Sequence, residues 1–371
     1  MIGKTALGII FANVHDEMVP ELTEKRSMAS IPFGSRYRLI DFSLSNLVNA
    51  GISKVGILTQ ENYRSLMDHL GSGKAWDLDR KNGGIFIMPP FSSSKYGISR
   101  GHVEALAGIM TFLKRSNEDY VVLCDADLIS NIDLSDMIEF HERSGADVTV
   151  AYKNGQLPKN NKDIMILSLE NETVASAKFE EKMPEAVDYS LDIFVIRREL
   201  LIEWIADASR RALESFSRDV IKPRICEKKI KGYKITDFAE VLDSADSYVR
   251  ISRMLLNDEK RRQLFNREHP VYTKTRDDMP TRYGLNSVAQ NSLIADGCLV
   301  EGTVKNSLLF RGVKVGKNAV VENCILMQGT VVGDNAVLSG VTADKGVVIS
   351  SGTVLRGTEG NNLFIGKEKT I

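Results

Sequence analysis

The sequence predicts an α/β domain built on a mostly parallel sheet, followed by a parallel β-helix. Three patterns carry this reading. Ala6-Leu7-Gly8-Ile9-Ile10-Phe11-Ala12, Val55-Gly56-Ile57-Leu58-Thr59-Gln60 and Tyr120-Val121-Val122-Leu123-Cys124-Asp125 are near-continuous apolar runs, as expected of strands covered on both faces. Between and after them, Val103, Leu106, Ala107, Met110 and Leu113, then Leu134, Met137, Ile138 and His141, recur at helical spacing. From about Ser292 a six-residue period takes over, in Ile294–Leu299, Val300–Lys305, Val315–Val320 and Val332–Val337, each opened by an aliphatic residue and a small or turn-forming pair.

Taken in order, the elements divide the chain into an α/β domain over residues 1–240, a helix and linker over 241–291, and the β-helix over 292–371. The linker is expected to hold one helix around Ser244–Asn257 and a solvated charged stretch, Asp258–Glu268. His141 reads as a core-edge residue, because no second His or Cys sits at ligand spacing. With 371 residues, 43% of them hydrophobic, the chain can bury a large core. A net charge of −1 gives no pull toward nucleic acid or an anionic membrane. Cys124, Cys226, Cys298 and Cys324 are far apart and read as buried thiols of a reducing cytoplasm. No signal peptide or spanning apolar run is legible, so a cytoplasmic protein is expected.

The first turn carries the chemistry. A strand-to-helix turn that cradles phosphate needs glycines, because the backbone must come close to the anion. Here the segment from Phe11 to Ile31 contains no glycine, and its turn carries two acids, Asp16 and Glu17.

Phe33-Gly34 with Tyr37-Arg38-Leu39-Ile40-Asp41-Phe42-Ser43-Leu44-Ser45-Asn46, Leu58-Thr59-Gln60, and the run from Val300-Glu301-Gly302-Thr303-Val304 to Arg311-Gly312-Val313 resemble the glucose-1-phosphate adenylyltransferase (ADP-glucose pyrophosphorylase) family. The similarity covers nearly the whole chain. It implies a Rossmann-like, GT-A type nucleotidyltransferase domain and a left-handed β-helix. The departures fall on the family's phosphate contacts. With Leu22-Thr23-Glu24-Lys25-Arg26 fixing the register, the loop glycines of that family fall on Asn13, Val14 and Asp16, its arginine on Met18 and its lysine on Met28. Methionine cannot stabilise a charged phosphoryl transition state, and losing one such donor typically costs about 3–4 kcal/mol. Lys25 or Arg26 taking over that role is the competing possibility.

The resemblance further implies Asp127 and Asp219 as magnesium carboxylates, Lys182, Ser190 and Gly101 as sugar-phosphate contacts, Gln60 as a nucleotide contact, and Arg36 as an anionic-effector contact. Asp192 stands where the family has glycine, and Ala239, Val241 and Asp243 replace sugar-site residues. Ser99, His102 and Glu104 depart from the loop around Arg100-Gly101, and His102 is expected at the loop surface with no partner. Asp125 should point the same way as Asp127 and has no family counterpart.

Structural blocks are kept while phosphate and sugar contacts are scattered. This pattern implies the family's regulatory, weakly or non-catalytic second subunit, paired with a catalytic chain in a hetero-oligomer, expected as a tetramer, in glycogen biosynthesis. Mg²⁺ is expected only where nucleotide binding persists, and a sugar-phosphate effector is the expected small-molecule partner. The alternative is an autonomous Mg-dependent adenylyltransferase with an altered phosphate loop. A hexapeptide-repeat acyltransferase is disfavoured, because the last histidine, His269, precedes the repeats.

Overall fold

The computed structural model of the chain describes residues 6–89, 101–179, 185–358 and 362–371. The first apolar runs become strands β1 (Ala6–Phe11), β2 (Lys54–Leu58), β3 (Gly84–Met88) and β4 (Tyr120–Asp125). They are followed by β5 (Val148–Gly155), β6 (Ile166–Glu170), β7 (Thr173–Lys178), β8 (Val187–Arg197) and β9 (Ile230–Lys234). Together these form one sheet in the order β3-β2-β1-β4-β8-β5-β9-β7-β6. β1 pairs in parallel with β2 and β4, and β2 with β3. β8 runs antiparallel between β4 and β5. Apolar content does not reveal that reversal, since a strand buried on both faces reads the same in either direction. Ligand sites in such sheets lie beyond the carboxyl ends of the parallel strands, here near Phe11 and Asp125.

Helices α1 (Leu39–Asn49), α2 (His102–Gly108), α3 (Leu134–Ser144) and α4 (Arg198–Arg210) flank the sheet. The α3 stripe of Leu134, Met137, Ile138 and His141 is buried. His141 is part of the core. Its Nδ1 bonds the Thr149 hydroxyl at 2.8 Å, and its ring meets Tyr120 edge-on.

The linker is more ordered than its composition suggests. Helix α5 (Ala245–Met254) starts at a capping box in which the Ser244 hydroxyl accepts from the Ser247 N–H. The charged stretch is not solvated linker: it forms helix α6 (Asp258–Leu264), capped by Asn257, with Leu264 fully buried. Leu255, Leu264 and half-buried Phe265 anchor this region against Phe33, Phe42 and Tyr37. One buried leucine, with apolar residues flanking both ends, suffices to anchor a helix whose remaining surface is charged.

The C-terminal region forms three five-stranded parallel sheets, the three faces of a left-handed β-helix. Interior ladders run Val300-Val315-Val332, Val304-Val321-Leu338 and Leu309-Leu326-Ala343. One corner repeats Asn291, Asn306, Asn323 and Gly340 at positive φ, a conformation that Gly and Asn adopt most readily. Regular coil begins at Arg282–Tyr283, earlier than the legible hexads. This end coil faces solvent, and exposed Tyr283 and Val288 give it no interior pattern.

Leu308, Phe310, Ile325 and Met327 of the β-helix share a core with Val19, Leu22, Met28, Ile31, Phe33 and Phe42. The two regions therefore pack through a common apolar layer. Of the four cysteines, Cys124, Cys298 and Cys324 are buried as expected, but Cys226 is exposed. Among the described residues no helix is long and apolar enough to cross a membrane.

Candidate functional site

The loop after β1 satisfies its own polar groups. The Asn13 amide donates to Asp16 Oδ2 at 2.7 Å and to the Glu61 carbonyl at 3.1 Å, while its oxygen accepts the Gln60 N–H. Asp16 Oδ1 accepts the Met28 N–H at 2.6 Å. Burial pushes the Asp16 carboxyl up to about 6, against those hydrogen bonds. Asp16 therefore turns inward onto its own loop. Glu17 alone of the two is exposed and lines the adjoining cleft.

Met28 is 2% exposed in the shared core, and Met18 packs against the same core. Arg26 is committed elsewhere: its Nη2 lies 2.8 Å from both oxygens of Asp344, in a buried pair with the β-helix. Lys25 is exposed.

Beside this loop, three segments converge. His15, four residues past β1, lies 2.9 Å through Nε2 from Asp125 Oδ2. His102, the first residue of α2, lies 3.1 Å through Nε2 from both Asp125 oxygens. Asp125 is the last residue of β4 and is fully buried. Asp127 Oδ2 is 3.9 Å from His15 Nε2. The expectation of an unpaired, surface His102 is thus overturned: its side chain is 13% exposed and packs edge-on against Phe11. The strand direction had placed Asp125 correctly, but the two imidazoles arrive from segments remote in sequence.

Burial would lower the His15 pKa, yet Asp127, Asp125 and Asp192 outweigh it and raise it to about 10. Burial alone would raise Asp125, but His102 and His15 hold it well below the usual carboxylate range. Burial pushes Asp127 up to about 6 despite His15, and Asp192 up to about 7 with Asp125 adding to the effect. Asp192 keeps a left-handed backbone, φ 51°, at a position where glycine would be unstrained. Its Oδ1 accepts from the hydroxyls of Ser190 and Ser217, at 3.2 and 3.1 Å. Ser190 is thus buried and occupied by its neighbour.

The remaining expected contacts scatter. Asp219 Oδ2 accepts the backbone N–H of Glu214 and Ser215 at 3.1 and 2.9 Å. One Asp219 oxygen is so engaged, and Asp127 stands 3.9 Å from an imidazole nitrogen. Gly101 precedes α2, and a Cβ there would come 2.6 Å from the Glu214 carbonyl oxygen, so a side chain has no room. Asp243 is buried and accepts the Asn160 N–H, while Ala239 and Val241 belong to a short buried strand. Lys182, Arg100 and Ser99 lie outside the described residues. The cleft in front of the cluster has a volume of about 610 Å³. Glu17, Asp163, Glu214 and Asp219 line it against Lys162 and Arg218, and Arg218 already pairs with Asp163.

Arg36 lies in a different place, between the two domains. It pairs with Asp296 at 2.7 Å and lines a small cavity together with Arg38, Lys274, Arg276, Arg311 and Lys345. Burial lowers the Lys345 pKa to about 7, with Arg38, Arg26 and Arg276 adding to the effect. Such a concentration of partly desolvated cations makes the cavity strongly electropositive.

His15 is the site residue that motif reading missed. The available signal was joint: His102, Asp125 and Asp192 all depart from one pattern, and all belong near the same strand ends.

An α/β sheet with a substituted first loop, joined to a three-sided hexapeptide β-helix, defines a nucleotidyltransferase-type protein. Residues 17–190 match the nucleotidyl transferase family, and residues 278–361 match the GlmU-like C-terminal hexapeptide family. The chain is 34% identical over 318 residues to the glycogen biosynthesis protein GlgD of Bacillus subtilis (strain 168), covering 85% of this chain and 82% of that protein. It is 38% identical over 319 residues to GlgD of Geobacillus stearothermophilus, with the same coverage. It is 33% identical over 324 residues to the glucose-1-phosphate adenylyltransferase of Pseudothermotoga lettingae, covering 86% of this chain and 76% of that enzyme. The chain belongs to the family of GlgD and glucose-1-phosphate adenylyltransferase.

Proposed function

We propose that this chain is a regulatory, weakly or non-catalytic subunit of glucose-1-phosphate adenylyltransferase, working in glycogen biosynthesis with a catalytic subunit. The observation that carries the reading is the self-satisfied loop Asn13–Met18. Asn13 and Asp16 are bonded to each other and to nearby backbone, and Glu17 adds a carboxylate to the adjoining cleft. A triphosphate needs backbone N–H groups and cations aimed at it. The two positions that carry cations in active relatives are held by Met18 and Met28. The cationic cavity around Arg36 supports a retained effector role, with a sugar phosphate as ligand. The shared apolar layer and the β-helix supply a rigid frame through which such binding could bear on a partner.

The test is an assay of ADP-glucose pyrophosphorolysis by the purified chain alone, by the catalytic chain of the same organism, and by both together. The lone chain should run about a thousandfold or more below the mixture, the scale expected when two charge-stabilising donors are lost. The mixture should also respond differently to sugar phosphates than the catalytic chain alone. Comparable turnover by this chain in isolation would reject the regulatory reading.

A further inference from the structure

We propose that His15, His102 and Asp125 form a binding site for one divalent transition-metal ion of the zinc class. Three observations lead there. The candidate ligand atoms of these residues all lie within 4.8 Å of one another, the one such group of three among the described residues. Both imidazoles present the same nitrogen, Nε2, to one carboxylate, at 2.9 and 3.1 Å. Each ligand also comes from a different part of the fold: the loop after β1, the start of α2 and the end of β4.

The geometry suits a small ion. Zinc bonds to nitrogen and carboxylate oxygen are about 2.0–2.2 Å, so ligand atoms around a tetrahedral ion stand about 3.3 Å apart. The spacings of the two imidazoles from Asp125 need to open by only a few tenths of an ångström. Two imidazoles with one carboxylate favour zinc, cobalt, iron or manganese over magnesium, which prefers oxygen throughout. The surroundings are also suitable. Asp127 and Asp192 place further carboxylates around the site, and a divalent ion would take the place of the protons that the imidazoles hold against those carboxylates. His15 and His102 both line the cleft. A three-ligand site there leaves a coordination position for water or for a phosphate oxygen. The site stands independently of whether the chain turns over nucleotide.

The experiment uses the full-length chain without a polyhistidine tag, in a Cys226→Ser background that removes the exposed thiol. After chelator treatment the protein is titrated with Zn²⁺ and with Co²⁺, and bound metal is counted by elemental analysis. The expected result is one ion per chain, retained against a large excess of Mg²⁺, with visible absorption from bound Co²⁺. His15→Gln and His102→Gln should each weaken Zn²⁺ binding by more than about tenfold. No saturable uptake by the parent, uptake unchanged in both variants, or displacement by equimolar Mg²⁺ would each overturn the site and leave a buried ion-pair network. Should the variants fail to fold, X-ray absorption of the Zn²⁺-loaded parent decides the matter. Scattering from two imidazole rings with nitrogen and oxygen ligands is expected; a shell without imidazole scattering overturns the proposal.

Discussion

Arg26 and Asp344, 318 positions apart, form a buried charge pair in which one guanidinium nitrogen bonds both carboxylate oxygens at 2.8 Å. The pair joins the segment after the first loop to the β-helix. It also keeps the Arg26 guanidinium away from the cleft beside the first loop. Removing one partner strands the other in a place where water cannot reach it. Arg26→Ala and Asp344→Ala should each lower stability by about 3–5 kcal/mol, and the double variant by less than the sum of the two. Equilibrium denaturation measures this. A cost below about 1 kcal/mol for both single variants would show the pair to be dispensable.

The two loop methionines should respond differently to reinstated charge. Met28 is 2% exposed inside the core shared by both domains, whereas Met18 is half-buried at the cleft. Met28→Lys puts an ammonium group into apolar surroundings and should cost about 3 kcal/mol or more. Met18→Arg should change stability by less than about 1 kcal/mol, since the guanidinium can reach the cleft. Thermal melts of the two variants make the comparison. Met28→Lys with an unaltered melting temperature would contradict its place in the core.

His141 predicts a pH effect whose sign can be worked out. Burial pushes its pKa down from 6.5 to about 4, with Arg197 adding to the effect and Asp147 opposing it. Between about pH 6.5 and pH 4 the unfolded chain binds a proton here that the native state does not. Its contribution to stability therefore falls as pH drops through that window, by on the order of 3 kcal/mol in total. In His141→Gln, stability relative to the parent should rise on acidification from about pH 7 to about pH 4.5. Parallel stability curves over that range would show that the imidazole does not titrate as argued.

The cationic cavity should bind anions. A sugar phosphate at a hundred times its Kd should stabilise the chain by about 2.7 kcal/mol, seen as a rise in Tm. Arg276 is exposed and Arg36 partly so, and both can be replaced without disturbing the core. Arg36→Glu with Arg276→Glu should abolish the rise while leaving the melting temperature without ligand within a few degrees. An undiminished response in that variant would place the anion elsewhere.

Much of the fold was legible before any coordinates. The β1 and β4 runs, the α3 stripe and the hexads fell where their periods put them, because each reports a local match between backbone geometry and a buried face. Helix α6 was hidden, since its surface is charged and Leu264 is its one buried residue. The first coil was hidden for a related reason, its outer face being exposed. In the site, the methionines at positions 18 and 28 could be seen from the sequence, their surroundings could not. The pairing of His102 with Asp125 could not, because those residues belong to different elements and nothing local links them.

By itself the sequence determined the two-domain plan, the family and the absence of glycine, lysine and arginine from residues 12–18 of the first turn. These are properties of neighbouring residues and of repeats with a fixed period. The tertiary structure alone decided that Asp16 turns inward, that Arg26 is held by Asp344, and that His15 and His102 meet on one carboxylate. Those outcomes depend on which strand ends and loops the fold brings within a few ångströms, and on the cost of leaving buried charge without a partner.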